Sequence, residues 1–258
     1  VSLKDPAFLD ELRAIGAELF VVVAFRMLPR EVWSMPRLGT FNLHASLLPQ
    51  YRGAAPINWA IIRGERQTGV TTFLIDEQID TGSILHSQAC AIEPYDNAGT
   101  LHDKLMAIGA DLVVKTARDL VRRKAKPQPQ EVYGEIKPAP KITKELCHID
   151  WNYDASVLSD LVRGLSPYPA AFSILTDGSS ETIAKIYEAY ADNDTDYGTE
   201  MTPGKIHTDG RSWLAVECSH GSLRILSLQV AGKKRLDIAE FLKGFRDSGK
   251  YSFISHHK

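Results

Sequence analysis

The chain has few of the residues that build metal sites and disulfide frameworks. It has only three cysteines, Cys90, Cys147 and Cys218, and no two of them form a CxxC pair. This spacing argues against a zinc knuckle and a disulfide framework, and it fits a reducing compartment. The eight histidines show no paired spacing of the kind that binds metals. We therefore expect no metal.

Long apolar runs and an excess of one charge are missing as well. No run approaches the roughly 20 apolar residues that span a bilayer, and no secretory signal is recognisable. The formal net charge is −2, so no general basic field indicates nucleic acid. Hydrophobic residues make up 44% and charged residues 24%, which is typical of globular proteins. The sequence begins with Val1 rather than Met, so we expect that the start of the natural chain is missing.

The first part of the chain alternates strand and helix patterns. Residues 5–15 have helical spacing, with Asp5 as N-cap and Pro6 at the first helical position. Residues 19–25 are a continuous apolar run, typical of a strand buried on both faces of a parallel sheet. Residues 100–124 have the pattern of a long amphipathic helix. These patterns predict a layered α/β domain over residues 1–124.

The composition changes after this helix. Residues 126–141 (KPQPQEVYGEIKPAPK) carry four prolines and little apolar periodicity, so we predict a basic, proline-rich linker at residues 125–142. Residues 143–258 contain short alternating segments separated by Gly, Asp and Asn turns. This pattern predicts a small antiparallel β-barrel.

The residues with the most telling chemistry lie in FNLHASLLPQYRGAAP, residues 41–56. Alternate side chains of a strand share a face, so Asn42, His44 and Ser46 would point the same way. Ligands of open α/β sheets usually bind at strand ends. An acidic partner, Asp80, lies in a second loop, IDEQIDTGSIL. We expect the two segments to meet around one cleft.

These residue types suit the transfer of a small carbonyl group to an amine, without a metal or a covalent nucleophile. The amide of Asn42 can donate to the oxyanion of a tetrahedral intermediate. The imidazole of His44 can donate or accept, and a carboxylate at Asp80 would favour its charged form. Ser46 is followed by Leu-Leu-Pro and lacks the small-residue elbow of a serine hydrolase. We reject Ser46 as a nucleophile.

Each of these residues also has an ordinary structural interpretation. His44 alone could be a hydrogen-bonded strand histidine, while Asn42 and Ser46 could be strand-end caps. Asp80 with Thr81 and Gly82 could form a common turn. Taken one at a time, these interpretations are the more frequent ones, but the joint occurrence favours a functional site.

The two segments resemble a known family. NLHASLLPQYRGAAPINWAI followed by GVTTFLIDEQIDTGSIL resembles the methionyl-tRNA formyltransferases, within the wider 10-formyltetrahydrofolate-dependent formyltransferases. The wider family's signature is Asn-x-His-x-Ser-x-Leu-Pro with a downstream Asp-x-Gly, and SLLPxYRGAAP is characteristic of the tRNA enzymes. PKITKELCHIDW, LVRGLSPYPAAF and QVAGKKRLDIAEFLKG resemble their C-terminal domain. The resemblance implies a Rossmann-like formyltransferase domain with a partial, mostly parallel sheet, followed by an open, OB-like β-barrel that binds tRNA.

The activity implied by the resemblance is formyl transfer from 10-formyltetrahydrofolate to the α-amine of methionyl initiator tRNA, a step in bacterial or organellar translation initiation. By position, Asn42, His44 and Asp80 match the catalytic trio. The positions that match folate-contacting segments are Ser46, Leu47, Leu48 and Pro49, then Val22, Val23, Ala24 and Phe25, and finally Asp76, Glu77, Gln78 and Ile79.

Basic clusters are the candidates for contact with tRNA. Residues 142–258 carry thirteen Lys and Arg against sixteen Asp and Glu, so this part lacks the usual basic footprint in aggregate. The resemblance, not the charge, therefore carries the expectation, and solvated surface is the ordinary alternative. The candidates are Arg52, Arg122, Arg123, Lys124, Lys126, Lys141, Lys144, Lys233, Lys234 and Arg235.

The sequence departs from the family at two places. The family begins with further residues that form the first βα units and a loop approaching the tRNA acceptor end. Residues 24–29 (AFRMLP) replace a Tyr-Gly-containing version that is one residue longer in most relatives, and Arg26 would lie near the folate pocket.

Two alternative functions stay open at this point. One is another folate-dependent enzyme, which formylates glycinamide ribonucleotide or an amino sugar or hydrolyses the donor. The other is a catalytically dead RNA-binding relative. The C-terminal segments argue against the first, and the intact trio argues against the second. We expect a monomer with no membrane partner, in a bacterial cytoplasm or an organellar matrix.

Overall fold

A computed structural model describes residues 2–23, 27–195 and 201–255 of the chain. Two compact units make up the chain. The first unit comprises Val1–Ile57, Arg66–Glu93 and Leu101–Lys141. The second unit comprises Asn58–Glu65, Pro94–Thr100 and Ile142–Lys258.

Seven α-helices, one short 3-10 helix (Ser248–Lys250) and eleven strands are present in the described ranges. The helices are α1 (Pro6–Ala14), α2 (Arg30–Trp33), α3 (Pro56–Ile62), α4 (Ala98–Val121), α5 (Lys144–Cys147), α6 (Ala155–Leu165) and α7 (Ile238–Leu242). The first four strands are β1 (Phe20–Val22), β2 (Thr40–His44), β3 (Gln67–Leu74) and β4 (Ile84–Ala91). The remaining strands are β5 (Ala171–Thr176), β6 (Glu181–Asp192), β7 (Ile206–Thr208), β8 (Leu214–Glu217), β9 (Ser222–Val230), β10 (Leu236–Asp237) and β11 (Ser252–Ile254).

The sheet of the first unit has the strand order β1-β2-β3-β4. β1 and β2 are parallel, whereas β2 with β3 and β3 with β4 are antiparallel. The described strands therefore contain one parallel pair, where the sequence predicts a mostly parallel sheet. The loop of residues 75–83 that joins β3 to β4 is too short for a crossover, and so the two strands run antiparallel.

Of the apolar run at residues 19–25, Phe20–Val22 forms β1, which lies at the edge of the described sheet and is not buried on both faces. In the described part of the chain, β1 pairs with β2 alone. Val21 is 44% exposed, and Val23, just beyond the strand, is 56% exposed. The predicted strand end at Phe25 lies outside the described residues.

Side chains cap the first turns of two helices, and the cap of α1 is the one that the sequence predicts. The carboxylate of Asp5 accepts a hydrogen bond from the backbone N–H of Ala7, and Pro6 opens α1. At the start of α4, the side chains of Asn97 and Thr100 each accept from the other residue's backbone N–H, both at 2.9 Å. This reciprocal pair satisfies two of the N–H groups that a helix start leaves unpaired.

Helix α4 packs tightly on the strand that carries the predicted site. A Cβ atom at Gly109 would lie 2.7 Å from the side chain of Leu43 in β2, so a larger residue there would require the Leu43 side chain to move. Leu101, Leu105 and Leu112 are buried on the same helix. β2 is thus held at its two edges by β1 and β3 and on one face by α4.

The second unit is built on a curled antiparallel sheet with the order β11-β5-β6-β9-β8-β7. Its two ends meet where the N–H of Phe253 donates to the carbonyl of Gly204 at 2.8 Å. The interior is filled by large apolar side chains such as Trp151, Ile186 and Leu223, all fully buried. The predicted fold class, an α/β part followed by a small antiparallel barrel, is confirmed.

Candidate active site

The end of β2 delivers two polar side chains into a buried position. Asn42 and His44 are only 5% and 6% exposed, although both are polar residues in a strand. They lie two positions apart, so their side chains share one face, roughly 6.6 Å apart along the strand. Ser46 follows just beyond the strand and is fully buried.

The ring of His44 is held by a backbone carbonyl. Its Nε2 atom lies 2.8 Å from the carbonyl oxygen of Tyr51. Because a carbonyl can only accept a hydrogen bond, Nε2 carries a hydrogen. Nδ1 is therefore the ring nitrogen that is available for proton exchange, and it lies 3.7 Å from Oδ2 of Asp80.

The carboxylate of Asp80 is fixed by a second backbone group. Its Oδ2 atom accepts a hydrogen bond from the N–H of Gly53 at 2.9 Å, and its side chain is 11% exposed. Asp80 has a φ of +56°, a left-handed conformation that Asp tolerates better than most residues. The other oxygen, Oδ1, has no hydrogen-bond partner among the described residues and can accept a proton.

Two glycines make this arrangement possible. A Cβ atom at Gly53 would lie 2.5 Å from the carbonyl oxygen of Ala139, and Gly53 has a φ of +125°. A Cβ atom at Gly82 would lie 1.6 Å from the carbonyl oxygen of Leu74. A larger residue at either position would displace the backbone next to Asp80.

The side chain of Asn42 has an unmet hydrogen-bonding group. Its Oδ1 atom is buried and has no partner among the described residues. Most buried polar atoms are hydrogen-bonded, because an unpaired one costs about 1–3 kcal/mol. The amide can also turn over and present its two N–H donors at the same place. The unpaired buried oxygen makes Asn42 a candidate contact for a polar ligand.

The turn of residues 46–49, predicted to contact folate, is pinned to β3 by a threonine. The hydroxyl of Thr71 donates to the carbonyl of Ser46 at 2.7 Å and accepts from the N–H of Leu48 at 3.2 Å. The hydroxyl of Ser46 donates to the carbonyl of Gln50 at 2.6 Å. These bonds occupy the carbonyl of Ser46, the N–H of Leu48 and the Ser46 hydroxyl, so the shape of the turn is fixed from within the protein.

The other predicted folate segments differ in their exposure. Asp76 and Glu77 are exposed, as are Gln78 and Ile79. The carboxylate of Asp76 accepts from the N–H of Gln78 at 3.0 Å, which organises this loop next to Asp80. Val22 ends β1 directly beside Asn42, to which it is paired. Ala24, Phe25 and Arg26 lie outside the described residues.

Two of the predicted tRNA-contacting residues have partners within the protein. Arg52 donates to the side-chain oxygen of Gln130. Arg235 donates to Ser227 and Glu188. The remaining candidates are exposed: Arg122, Arg123, Lys124, Lys126, Lys141, Lys144, Lys233 and Lys234.

Two of the three cysteines, Cys147 and Cys218, are buried and form no disulfide. Burial raises the pKa of the Cys218 thiol to about 12 and also raises the pKa of Cys147, so both remain protonated and poor nucleophiles. Within residues 2–23, 27–195 and 201–255, no group of three or more His, Cys, Asp or Glu is arranged to hold a metal ion. In the same ranges, no helix is both long and apolar enough to cross a membrane.

The chain matches two family models in sequence. Residues 1–117 match the model described as formyl transferase, and residues 141–246 match the C-terminal domain of formyl transferase. The methionyl-tRNA formyltransferase of Parabacteroides distasonis is 52% identical over 255 residues, which cover 97% of this chain and 78% of the relative. That of Flavobacterium johnsoniae is 49% identical over 251 residues, covering 96% and 78%.

The chain belongs to the methionyl-tRNA formyltransferase family. The resemblance inferred from residues 41–85 is thereby confirmed. Solved structures with lower identity share the fold. HypX from Aquifex aeolicus, solved in complex with tetrahydrofolic acid, is 22% identical with a TM-score of 0.67, covering 94% of this chain and 42% of HypX. The sugar 3N-formyl transferase WlaRD is 19% identical with a TM-score of 0.61, covering 84% and 73%.

Sequence reasoning missed the residues that hold the site together. Tyr51 and Gly53 orient His44 and Asp80 through backbone atoms, which leave no side-chain pattern to recognise. Gln130 contacts the loop of Asp80 from 50 positions away and lies in a segment that reads as a linker. Of these residues, only Gly53, inside the RGAAP motif, could have been recognised in the sequence, because a glycine in a turn often has a positive φ.

Proposed function

We propose that this chain transfers a formyl group from 10-formyltetrahydrofolate to the α-amine of methionyl initiator tRNA. The observation that carries the proposal is the convergence of His44 and Asp80, 3.7 Å apart, together with the unpaired Oδ1 atom of Asn42, two positions before His44 on β2. Family membership supports the substrates, and the geometry supports the chemistry. The reaction would supply formyl-methionyl-tRNA for translation initiation.

The residues of the site fit a formyl donor. The buried Asn42 Oδ1 atom, which has no partner in the described chain, calls for a polar ligand at the end of β2. The turn at residues 46–49 is held in shape by Thr71 and the loop at residues 76–79 is exposed, and we assign contact with the folate to these two segments. When bound, 10-formyltetrahydrofolate supplies the formyl group, and its N10 is the leaving nitrogen.

Asn42 would stabilise the oxyanion. As the amine attacks the formyl carbon, negative charge develops on the formyl oxygen. Asn42 is 5% exposed and lies on β2, so its amide can meet the formyl oxygen where little water competes for the charge. A donor of this kind contributes about 100- to 1,000-fold to kcat.

His44 and Asp80 would manage the proton. The attacking amine must lose a proton, and the departing N10 must gain one. With Nε2 fixed on the carbonyl of Tyr51, His44 acts through Nδ1, either as a donor to the oxyanion or in exchange with Asp80. The unpaired Oδ1 atom of Asp80 can accept the amine proton, directly or through one water.

The exposed basic residues support a tRNA partner. Arg122, Arg123 and Lys124 follow one another at the end of α4, and Lys233 and Lys234 form a second exposed pair in the other unit. Exposed cations of this kind bind phosphates and make binding weaker as salt rises. We assign phosphate contact to these clusters rather than to Arg52 and Arg235, which bind within the protein.

A formylation assay with two acceptors tests this function. The chain is incubated with 10-formyltetrahydrofolate and either methionyl initiator tRNA or glycinamide ribonucleotide, and the formylated products are quantified. We expect kcat/KM to favour the tRNA by about two orders of magnitude or more. Comparable rates with the ribonucleotide, or hydrolysis of the donor without formylated tRNA, would contradict the proposal.

A further inference from the structure

Residues 130–139, which we call the strap, lie against both loops of the candidate site. Just before the strap, the backbone of Gln128 pairs with Ile84 through bonds of 2.8 and 2.9 Å. At the other end, the backbone of Ala139 pairs with Gly53. The segment that reads as a linker in the sequence is therefore bonded to the first unit at both ends.

Two strap contacts reach residues that hold a catalytic group. The carbonyl of Lys137 accepts a bond of 2.7 Å from the N–H of Tyr51, and the carbonyl of Tyr51 holds the ring of His44. Ala139 pairs with Gly53, whose N–H holds the carboxylate of Asp80. The strap thus supports His44 and Asp80 through one intermediate residue each.

Gln130 makes the most direct contact with the loop of Asp80. Its side-chain nitrogen donates to the carbonyl oxygens of Asp80 and Gly82, both at 2.9 Å. Its side-chain oxygen accepts from Nε of Arg52 at 3.2 Å and from an Nη of Arg52 at 2.6 Å. Both donors and the acceptor of this amide are in use, so its orientation is fixed.

The Arg52–Gln130 pair connects the two loops of the site. Arg52 directly precedes Gly53, whose N–H binds the carboxylate of Asp80, and Gln130 binds the backbone carbonyl of Asp80. The loop of Asp80 is therefore bound at its carboxylate by Gly53 and at its carbonyl by Gln130. Together these bonds hold a residue that has the uncommon φ of +56°.

We propose that Gln130 and Arg52 are positioning residues for formyl transfer, because they hold Asp80 where its carboxylate faces His44. This inference depends on the formyl-transfer function proposed above. Neither residue touches the reacting atoms. Their effect is on where the carboxylate of Asp80 lies, and a displacement of about 1 Å in a reacting group can cost on the order of 100-fold in rate.

The primary test compares Gln130→Ala with Gln128→Ala. The two glutamines lie two positions apart, and the Gln128 side chain is exposed and makes no hydrogen bond within the described residues. We expect Gln130→Ala to lower kcat for methionyl-tRNA formylation by about 10- to 100-fold, with both KM values changed less than about threefold. Gln128→Ala should keep the wild-type kcat. Equal kcat values for the two variants would overturn the positioning role.

A double-mutant cycle separates positioning from general stability. Single-turnover rates are measured for Gln130→Ala in the wild-type chain and in an Asp80→Asn chain. If Gln130 acts through the Asp80 carboxylate, adding Gln130→Ala to the Asp80→Asn chain should lower the rate by less than about twofold. The same 10- to 100-fold loss in both chains would show that Gln130 supports the fold and not this carboxylate.

Two further variants identify which bonds matter. Gln130→Glu keeps an oxygen for Arg52 but has no N–H for the carbonyls of Asp80 and Gly82, so we expect a loss of kcat close to that of Gln130→Ala. Arg52→Ala should lower kcat and add little to Gln130→Ala. A rise in the KM for tRNA at unchanged kcat would instead make Arg52 a tRNA contact and would contradict its positioning role.

The failure of this inference differs from the failure of the proposed function. If the wild-type chain formylates methionyl-tRNA and Gln130→Ala matches Gln128→Ala, the function stands and the positioning role is wrong. If the wild-type chain does not formylate methionyl-tRNA, the function itself is wrong. Amide hydrogen exchange gives a readout without substrate, because the N–H of Gly53 should exchange faster in Gln130→Ala than in Gln128→Ala.

Discussion

Nδ1 of His44 lies 3.7 Å from Oδ2 of Asp80, and both side chains are held by one short turn. The carbonyl of Tyr51 binds the histidine ring, and the N–H of Gly53 binds the carboxylate. The distance is too long for a hydrogen bond but short enough for the charge of one group to act on the other. A backbone turn therefore sets the relation between two catalytic candidates that lie 36 positions apart in sequence.

His44→Ala and Asp80→Asn should each abolish most formyl transfer. Each removes a proton-handling group, and we expect kcat to fall by about 100- to 10,000-fold in a formylation assay with methionyl initiator tRNA. Circular dichroism should show an unchanged fold for Asp80→Asn, because the two side chains have the same shape. A variant that keeps more than about half of the wild-type kcat would show that the assigned role is wrong.

His102→Ala is the matched control for this pair. His102 also contacts a carboxylate, that of Asp103, at 3.0 Å, but both side chains are more than half exposed on α4. We expect its kcat to equal that of the wild type. A comparable loss in the control would mean that removing any histidine disturbs the assay.

Asn42→Ala should lower kcat by about 100- to 1,000-fold and change the KM values little, because an oxyanion donor acts mainly in the transition state. The kcat of Asn42→Asp should be no higher than that of Asn42→Ala, since the aspartate places a negative charge where negative charge develops. Steady-state kinetics of both variants provide the measurement. If Asn42→Asp were as active as the wild type, Asn42 would not be an oxyanion donor.

Gly53→Ala should reduce both stability and rate. The added Cβ atom would lie 2.5 Å from the carbonyl oxygen of Ala139, so the turn must shift and carry the N–H that binds Asp80 with it. We expect a loss of more than about 1 kcal/mol in the free energy of unfolding and at least about a tenfold loss in kcat. Urea unfolding and formylation kinetics measure the two effects.

Gly16→Ala controls for backbone strain alone. Gly16 also has a positive φ, +66°, but no atom lies within 4 Å of its missing Cβ. We expect it to cost about 1 kcal/mol and to leave kcat unchanged. A Gly53→Ala variant that lost stability but kept the wild-type kcat would show that this turn does not position Asp80 for the reaction.

The stability of the second unit should decrease in acid through Glu217. Burial alone raises the pKa of this carboxyl, but bonds from the Thr202 N–H and from His207, together with the charge of Lys205, outweigh burial and lower the pKa. A lowered folded pKa stabilises the fold at pH values above the unfolded pKa, about 4.3. That stability is lost as the pH falls through the folded pKa.

Urea unfolding from pH 7 to pH 3, followed by tryptophan fluorescence, tests this dependence. The wild type should be more stable than Glu217→Gln at pH 7, and the difference should shrink as the pH falls. Glu240→Gln is the control, because Glu240 is exposed and pairs with Lys243 on the surface. A difference for Glu217→Gln that stayed constant down to pH 3 would contradict the lowered pKa.

Local sequence patterns predicted the regular elements well. The predicted helix at residues 5–15 is α1, Pro6–Ala14, with the predicted cap at Asp5. The predicted helix at residues 100–124 is α4, Ala98–Val121. Capping and amphipathic spacing are properties of neighbouring residues, so they can be read without knowing the fold. The burial of β1 could not be read in this way, since it depends on which strands pair with it.

The sequence by itself determined the family, the α/β and barrel classes, and the polar residues that gather at the end of β2. Only the tertiary structure decided that a carbonyl at Tyr51 and an N–H at Gly53 aim His44 and Asp80 at each other. It also decided that Gln130, inside a proline-rich segment, binds the loop of Asp80. Backbone atoms are the same in every residue, and contacts between distant segments depend on how the whole chain packs. Neither leaves a pattern of residue types that a sequence could reveal.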